Sequence, residues 1–304
     1  VLTWPGDHLV AGGLLPGGAA GAELVVHGRR AGAGVARGAW SVAGNAIGET
    51  LRREYPNTSF TYEPGREQSN ILLVSQGRVQ LGIAHAQLAG RALSGGEPFK
   101  QPVTNIRAIA VIDPLAAMQV FARQGSDFQS FEQVRRDKKP IRVALNQRGT
   151  MMALAGEELL AAKGIPAKDV EAWGGKVHYV AYNEGLEMMK NKQVDLIVNL
   201  LAFPSGQVAS ATREMPVQMV GLTPEVQGAL QKSLGMMPIE VPAKTYDFQP
   251  AAVPSATATV VLVANASMSD EDAGKIVSAM LRNMDFLKQS HAMMRQLDPA
   301  DVRR

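Results

Sequence analysis

From Trp40 onward, stretches whose apolar residues recur at helical spacing alternate with stretches that alternate apolar and polar like strands. No other feature constrains the chain as much, because elements in this order build an α/β layer architecture around a largely parallel sheet. Ser41 stands where it would cap a helix running to about Tyr55, with Ala43, Ile47 and Leu51 four apart on one face and Pro56-Asn57 stopping it. Residues 60–63 read as a short strand, Pro64-Gly65 as a turn, and Ser69 as the N-cap of a helix through Val74. Gly77 ends that helix, and residues 79–84 alternate back into strand.

The rhythm then repeats. After a loop holding Gly95, Gly96 and Pro98, residues 106–112 and 118–123 are extended, and the polar residues 124–129 read as a crossover. A second unit follows, with a strand over 141–145, a turn over 146–149, a helix opened by Thr150 and closed by Gly164, a strand over 177–181, a helix over 184–191 and a strand over 194–200. A proline-punctuated segment, 237–254, leads to a strand over 257–264. The last helix starts with Ser269 and Asp272 at capping-box spacing and carries Ile276, Met280, Met284 and Leu287 as an apolar stripe suited to core packing. The expected domains are 38–123 plus 256–304 as one lobe and 124–255 as the other. Residues 1–37 form a Gly- and Ala-rich segment of poor periodicity set apart from both.

The 304 residues, 46% hydrophobic and 19% charged, suffice for a sizeable core. A net charge of +3 spread along the chain argues against a nucleic-acid partner. With no cysteine there is no disulfide, thiolate metal site or cysteine nucleophile. The longest apolar runs, 196–203 and 256–266, fall short of the roughly 18 residues that cross a bilayer. No Lys or Arg precedes the first apolar stretch, so the start of the chain does not read as a working signal peptide.

Motifs for catalysis are scarce. His8, His27, His85, His178 and His291 are isolated, with no spacing that would seat a metal on one helix face. Ser205-Gly206 lacks the glycine two residues before a nucleophile serine, and Gly32, Gly34 and Gly38 match a dinucleotide loop poorly. No phosphate-binding Gly-Lys-Ser or Gly-Lys-Thr occurs. Neither a cofactor nor a catalytic residue is expected.

What recurs instead is a polar or glycine-containing turn leading into a helix: Gly38 to Ser41, Gly65 to Asn70, and Gln147 to Thr150. In an open α/β sheet, ligands sit beyond the carboxyl ends of the strands, where helix starts offer free N–H groups and the positive end of the dipole. Capping alone accounts for Ser41, Ser69 or Thr150 taken singly. Such turns suit a carboxylate, and their recurrence in both halves favours a ligand cleft.

The ordered series Trp40-Ser41 into Gly44-Asn45-Ala46-Ile47, Pro64-Gly65 with Ser69-Asn70, and Gly77 to Ile83 resembles the TAXI solute receptors of TRAP transporters. Gly149-Thr150, Tyr182-Asn183-Glu184-Gly185, Val194 to Ile197, Phe203-Pro204 and Val253-Pro254 extend the resemblance over about residues 38–297. It implies a type II periplasmic binding protein fold, two α/β lobes joined by two crossovers with a ligand cleft between them. It also implies a periplasmic, monomeric receptor that closes on a glutamate-like amino acid or dicarboxylate and delivers it to membrane permease subunits. Carried over, Ala39, Trp40, Ser41, Arg66, Ser69, Asn70, Arg148, Gly149 and Thr150 would line the site, with His85, Gln87, Tyr182 and Asn183 as further candidates. Two departures stand out. The family's opening strand and glycine-rich loop correspond here to residues 31–37, which lack that pattern, and Arg66 and Glu67 replace small glycines. A sensor module for a signalling receptor and an enzyme on the same fold remain alternatives.

Overall fold

The computed structural model describes residues 23–29 and 39–302. In chain order the elements are β1 (Glu23–Arg29), α1 (Ala39–Glu54), β2 (Ser59–Gly65), α2 (Glu67–Ser75), β3 (Leu81–His85), α3 (Ala86–Ser94) and β4 (Ile106–Arg123). Next come α4 (Phe131–Asp137), β5 (Arg142–Leu145), α5 (Met151–Ala162), α6 (Ala167–Ala172), β6 (Lys176–Tyr179), α7 (Tyr182–Lys190) and β7 (Leu196–Leu201). The chain ends with α8 (Gly206–Ala211), β8 (Val217–Met219), α9 (Pro224–Leu234), β9 (Met237–Val241), β10 (Val253–Asn265), α10 (Asp270–Arg282), α11 (Met284–Ser290) and α12 (Pro299–Val302). Two compact units result, Val1–Pro114 with Thr259–Arg304 and Leu115–Ala258. The chain passes between them inside β4 and inside β10, both continuous strands, rather than in the polar residues 124–129.

In the first unit the strand order is β2-β1-β3-β10. β1 pairs in parallel with β2 and β3, while β10 runs antiparallel to β3. β3, Leu-Gly-Ile-Ala-His, is buried at every position, as befits an interior strand paired on both sides. The first strand thus lies at Glu23–Arg29, inside the segment set apart as 1–37, because a strand held by parallel pairing on both sides needs no clean alternation of its own. The corresponding residues 31–37, with Gly32 and Gly34, and Gly38 after them lie outside the described residues.

Three local expectations change. Pro64-Gly65 is not a turn but the end of β2, an edge strand, where a missing N–H breaks no ladder. Ser41 does not cap α1, which already begins at Ala39, and its carbonyl accepts from Asn45 Nδ2 at 2.7 Å within the helix. Ser69 lies inside α2, whose N-cap is Arg66, with extended backbone and no side-chain capping bond.

In the second unit β6-β5-β7-β4 follow one another, with β5 parallel to β6 and β7, and β4 antiparallel to β7. β8 pairs with β4. The proline-punctuated stretch contains β9, antiparallel to β10, and α9 buries Val226, Leu230 and Leu234, four apart on one face. Thr150 caps α5 as expected, accepting from Ala153 N at 3.2 Å. Ser269 likewise caps α10, accepting from Asp272 N at 3.0 Å. That last helix breaks at Asn283, although Ile276, Met280, Met284 and Leu287 are all buried. Among the described residues no helix is long and apolar enough to cross a membrane.

Candidate functional site

Each unit has a point where the chain reverses the direction in which it adds strands. In the first, β2 lies on one side of β1 and β3 on the other; in the second, β6 and β7 flank β5 in the same way. Crevices open at the carboxyl ends of strands at such points, and helices begin there with unpaired N–H groups. α2 and α3 start directly after β2 and β3, and α5 and α7 start soon after β5 and β6.

In the first unit these ends gather Trp40, Glu67 and His85. Glu67 opens α2 fully buried, and one of its oxygens accepts from the backbone N–H of His85 at 2.7 Å and lies 3.0 Å from His85 Nδ1. The Trp40 ring packs on the imidazole at 5.4 Å between centroids, tilted by 49°. One carboxylate therefore ties the start of α2 to the end of β3, and the first turn of α1 rests on that pair. Of the expected residues the structure brings Trp40 and His85 together, with half-buried Ala39 and buried Ser41 in the same turn as Trp40. Arg66 and Ser69 are exposed. Asn70 is fully buried and donates to Ile83 O at 3.0 Å, so its amide nitrogen serves the core rather than the strand ends. Gln87 accepts from Thr259 N at 3.2 Å, anchoring α3 to β10.

The second unit presents amides and hydroxyls. Asn146, just beyond β5, donates to Asn199 of β7 at 2.9 Å, spanning the two strands that flank the reversal. Gly149 turns the chain with φ 79°, and Thr150 also donates to Gln147 O at 2.7 Å. Asn183, in the first turn of α7, accepts from Gln207 Nε2 at 2.5 Å. The Tyr246 hydroxyl donates to Gln119 Oε1 at 2.6 Å and accepts from Ser205 N at 3.0 Å, while Ser205 Oγ caps α8. Tyr182 lies in the hydrophobic core with Phe121, Met189 and Ile197, and its hydroxyl has no hydrogen-bond partner among the described residues. Burial pushes Tyr182 well above the usual phenol range and Tyr246 up to about 12, so both stay protonated donors. Arg148 is exposed and already engaged: its guanidinium stacks 3.6 Å over the Tyr179 ring, and Nη1 lies 3.4 Å from Glu157.

Sequence reading passed over Glu67, Asn146 and Asn199. Two of the three had a signal: Asn199 interrupts the apolar Leu-Ile-Val-Asn-Leu-Leu of β7, and Asn146 directly follows the apolar end of β5. Polar groups inside such runs must find partners. Among the described residues no cluster of three or more His, Asp or Glu could hold a metal ion.

Residues 31–303 match the NMT1-like family. No curated protein matches the sequence. Among solved structures the chain is similar to MatC from Rhodopseudomonas palustris with bound malate, at 12% identity and a TM-score of 0.57, covering 91% of this chain and 92% of that one. It is also similar to PhnD1 from Prochlorococcus marinus in complex with methylphosphonate, at 13% identity and a TM-score of 0.56, covering 92% and 90%. A third is the alkanesulfonate-binding protein SsuA from Xanthomonas axonopodis pv. citri bound to MOPS, at 14% identity and a TM-score of 0.52, covering 93% and 83%. The fold is that of the periplasmic binding proteins, with two α/β lobes.

Proposed function

The chain belongs to the NMT1-like family, and from that premise we propose that it is a periplasmic solute-binding receptor for a small organic anion. The observation that carries this reading is the pair of identically wired strand reversals, each ringed by helix starts whose free N–H groups and dipoles favour negative charge. Malate, methylphosphonate and MOPS, named as bound in the three similar structures, are small anions. Trp40 supplies an apolar wall, helix starts supply backbone donors, and exposed Arg66 is available to pair with a carboxylate. Binding shifts a conformational equilibrium through hinge motion and needs no covalent step. On the resemblance to TAXI receptors, the cargo is a glutamate-like amino acid or dicarboxylate, handed by a monomer to TRAP-type permease subunits without catalysis or cofactor.

A thermal-shift screen with amino acids, dicarboxylates and other small organic acids tests this, because a ligand that binds only the folded state raises its stability by mass action. The expected result is a saturable rise in Tm with one acid, which is recovered chemically unchanged. Conversion of that acid would replace the receptor with an enzyme, and a well-folded sample that responds to none of them would overturn the ligand class.

A further inference from the structure

In the second unit β7, β5 and β6 are neighbours, so the loops that enter them, 191–195, 138–141 and 173–175, share one end of the sheet. Lys138, Lys139, Arg142, Lys176 and Lys192 lie in these loops or on the first residue of a strand, against a single acid, Asp195. Asp195 is buried and held by Arg142 and Arg123, and Asp127 reaches Lys139 at 3.8 Å. Lys138, Lys176 and Lys192 are exposed and make no ion pair among the described residues. Arg142 joins them, as the cross-strand neighbour of Lys176 and a donor to Lys192 O at 2.8 Å. Burial first, and then the charges of Lys176 and Arg142, hold the His178 imidazole below its usual value, so the two cations act on one place.

Two of these lysines occupy backbone that favours glycine. Lys138, with φ 48°, ends α4, and Lys192, with φ 59°, follows α7, whereas the left-handed turns after α2, α3, α5 and α9 are made by Gly77, Gly95, Gly164 and Gly235. Lys244, between β9 and β10, is the one other non-glycine residue of positive φ among the described residues. A β-carbon is strained in such a turn, and glycine would be the more stable choice. A charged side chain kept there in spite of the strain points to use. Trp173, half-buried in the loop that enters β6, adds an indole to the same end.

We propose that this end of the second unit docks on an anionic lipid membrane, its exposed lysines meeting phosphate headgroups and Trp173 lying at their level. Lysine is a compact charge on a flexible stem and suits a diffuse anionic surface, where arginine suits a fixed bidentate partner. Indole rings are enriched at the membrane–water interface. Interfaces between proteins carry an apolar centre, and the exposed large apolar residues among the described residues, Leu93 and Met237, belong to α3 and β9. The candidate ligand site of this unit lies at the opposite, carboxyl ends of the same strands, so docking leaves it uncovered.

The test is cosedimentation of the full, ligand-free chain with vesicles of phosphatidylcholine alone, or with about one-third phosphatidylglycerol, at about 0.05 M and about 0.5 M NaCl. The chain binds the anionic vesicles alone and leaves them at the higher salt, and binding brings a blue shift of tryptophan emission that Trp173→Phe abolishes. Lys138→Gly with Lys192→Gly lowers the partition coefficient roughly 25-fold, about fivefold for each lysine. Its Tm stays level or rises because the turns relax, whereas a loss through misfolding would lower Tm. Lys100→Gln with Lys288→Gln removes the same charge from the first unit and leaves partitioning within about twofold. No binding to anionic vesicles at the lower salt, or equal losses in the two double variants, overturns the inference. Binding to poly-glutamate but not to vesicles also overturns it, in favour of an acidic protein partner. Each of these outcomes leaves the receptor reading as it stands, since no ligand takes part.

Discussion

In the first unit the strands run β2-β1-β3-β10, and the ends beside the reversal carry a carboxylate, an imidazole and an indole; in the second they run β6-β5-β7-β4, and the equivalent ends carry two carboxamides and a phenol. The wiring is the same and the chemistry is not. Topology decides where helix starts converge, and individual side chains decide whether that place is built on a carboxyl–imidazole contact or on amide hydrogen bonds. A buried carboxylate and a buried amide pair also differ in what their removal leaves behind. Deleting Glu67 strands the His85 N–H and imidazole, whereas deleting Asn199 leaves Asn146 with Met152 Sδ as acceptor and Gln147 N as donor.

The largest expected effect follows from this. Glu67→Ala should cost about 3 kcal/mol, the upper range for removing a fully buried polar side chain and orphaning the backbone N–H and imidazole nitrogen it bonds. Urea unfolding measures it, and a loss no larger than that of Asn199→Ala would erase the distinction between the two units.

The next test concerns how each unit seats its helices. A Cβ on Gly48 of α1 would sit 2.2 Å from the buried Phe60 ring, which has nowhere to go, so Gly48→Ala should cost about 2 kcal/mol despite the better helix propensity of alanine. Gly185 of α7 would meet Ile197 Cδ1 at 2.9 Å, the far end of a flexible side chain, and Ala144 Cβ at 3.3 Å, so Gly185→Ala should cost about 1 kcal/mol, less than Gly48→Ala. Equal losses in thermal or urea unfolding would show the two seats to be equally tight.

Asn199→Ala comes third, at about 1 kcal/mol, the net value of a neutral buried hydrogen bond. Its urea midpoint should fall between those of the parent and Glu67→Ala.

Much of the fold is legible in the sequence, the residues that carry this contrast are not, and the exceptions have identifiable causes. The helix and strand rhythm from Trp40 onward, the caps at Thr150 and Ser269, and the αL glycine Gly77 depend on local spacing and survived folding. β1 depends on pairing with strands that come 30 and more residues later, so nothing local marks it. Ser41 and Ser69 have the right chemistry for caps but sit inside helices, because the chain enters α1 and α2 at Ala39 and Glu67. Trp40 and His85 were picked from their positions and do meet. Glu67 stands out in the sequence only as a departure in a loop, and only the fold opens α2 with it and places the His85 backbone N–H against it. Arg148 was chosen for its charge, and the fold spends that charge on Tyr179 and Glu157.

The smallest expected effect sharpens the comparison within the second unit, whose strands are neutral at one end and charged at the other. Before β7, Asp195 accepts from Arg142 at 2.8 Å, 3.1 Å and, through the backbone N–H, 3.0 Å, and from Arg123 at 3.3 Å. Burial alone would push its carboxyl up, but the hydrogen bonds from Arg142, with those of Arg123, outweigh it and hold the group below the usual carboxylate range. The folded chain therefore binds this proton less readily than the unfolded chain does. Its contribution is complete above an ordinary carboxylate value of about 4 and is lost as the pH falls through the lower folded value. Asp195→Asn should reduce stability at pH 7 and flatten the loss of stability below about pH 4, read as urea midpoints across that range. The amide cluster at the opposite strand ends has no group that titrates there, so Asn199→Ala should lower the whole curve and leave its acid slope alone. Equal acid slopes for the parent and Asp195→Asn would mean that Asp195 is no better stabilised in the folded unit than in the unfolded chain, and the charged end would then differ from the neutral one in composition but not in energetics.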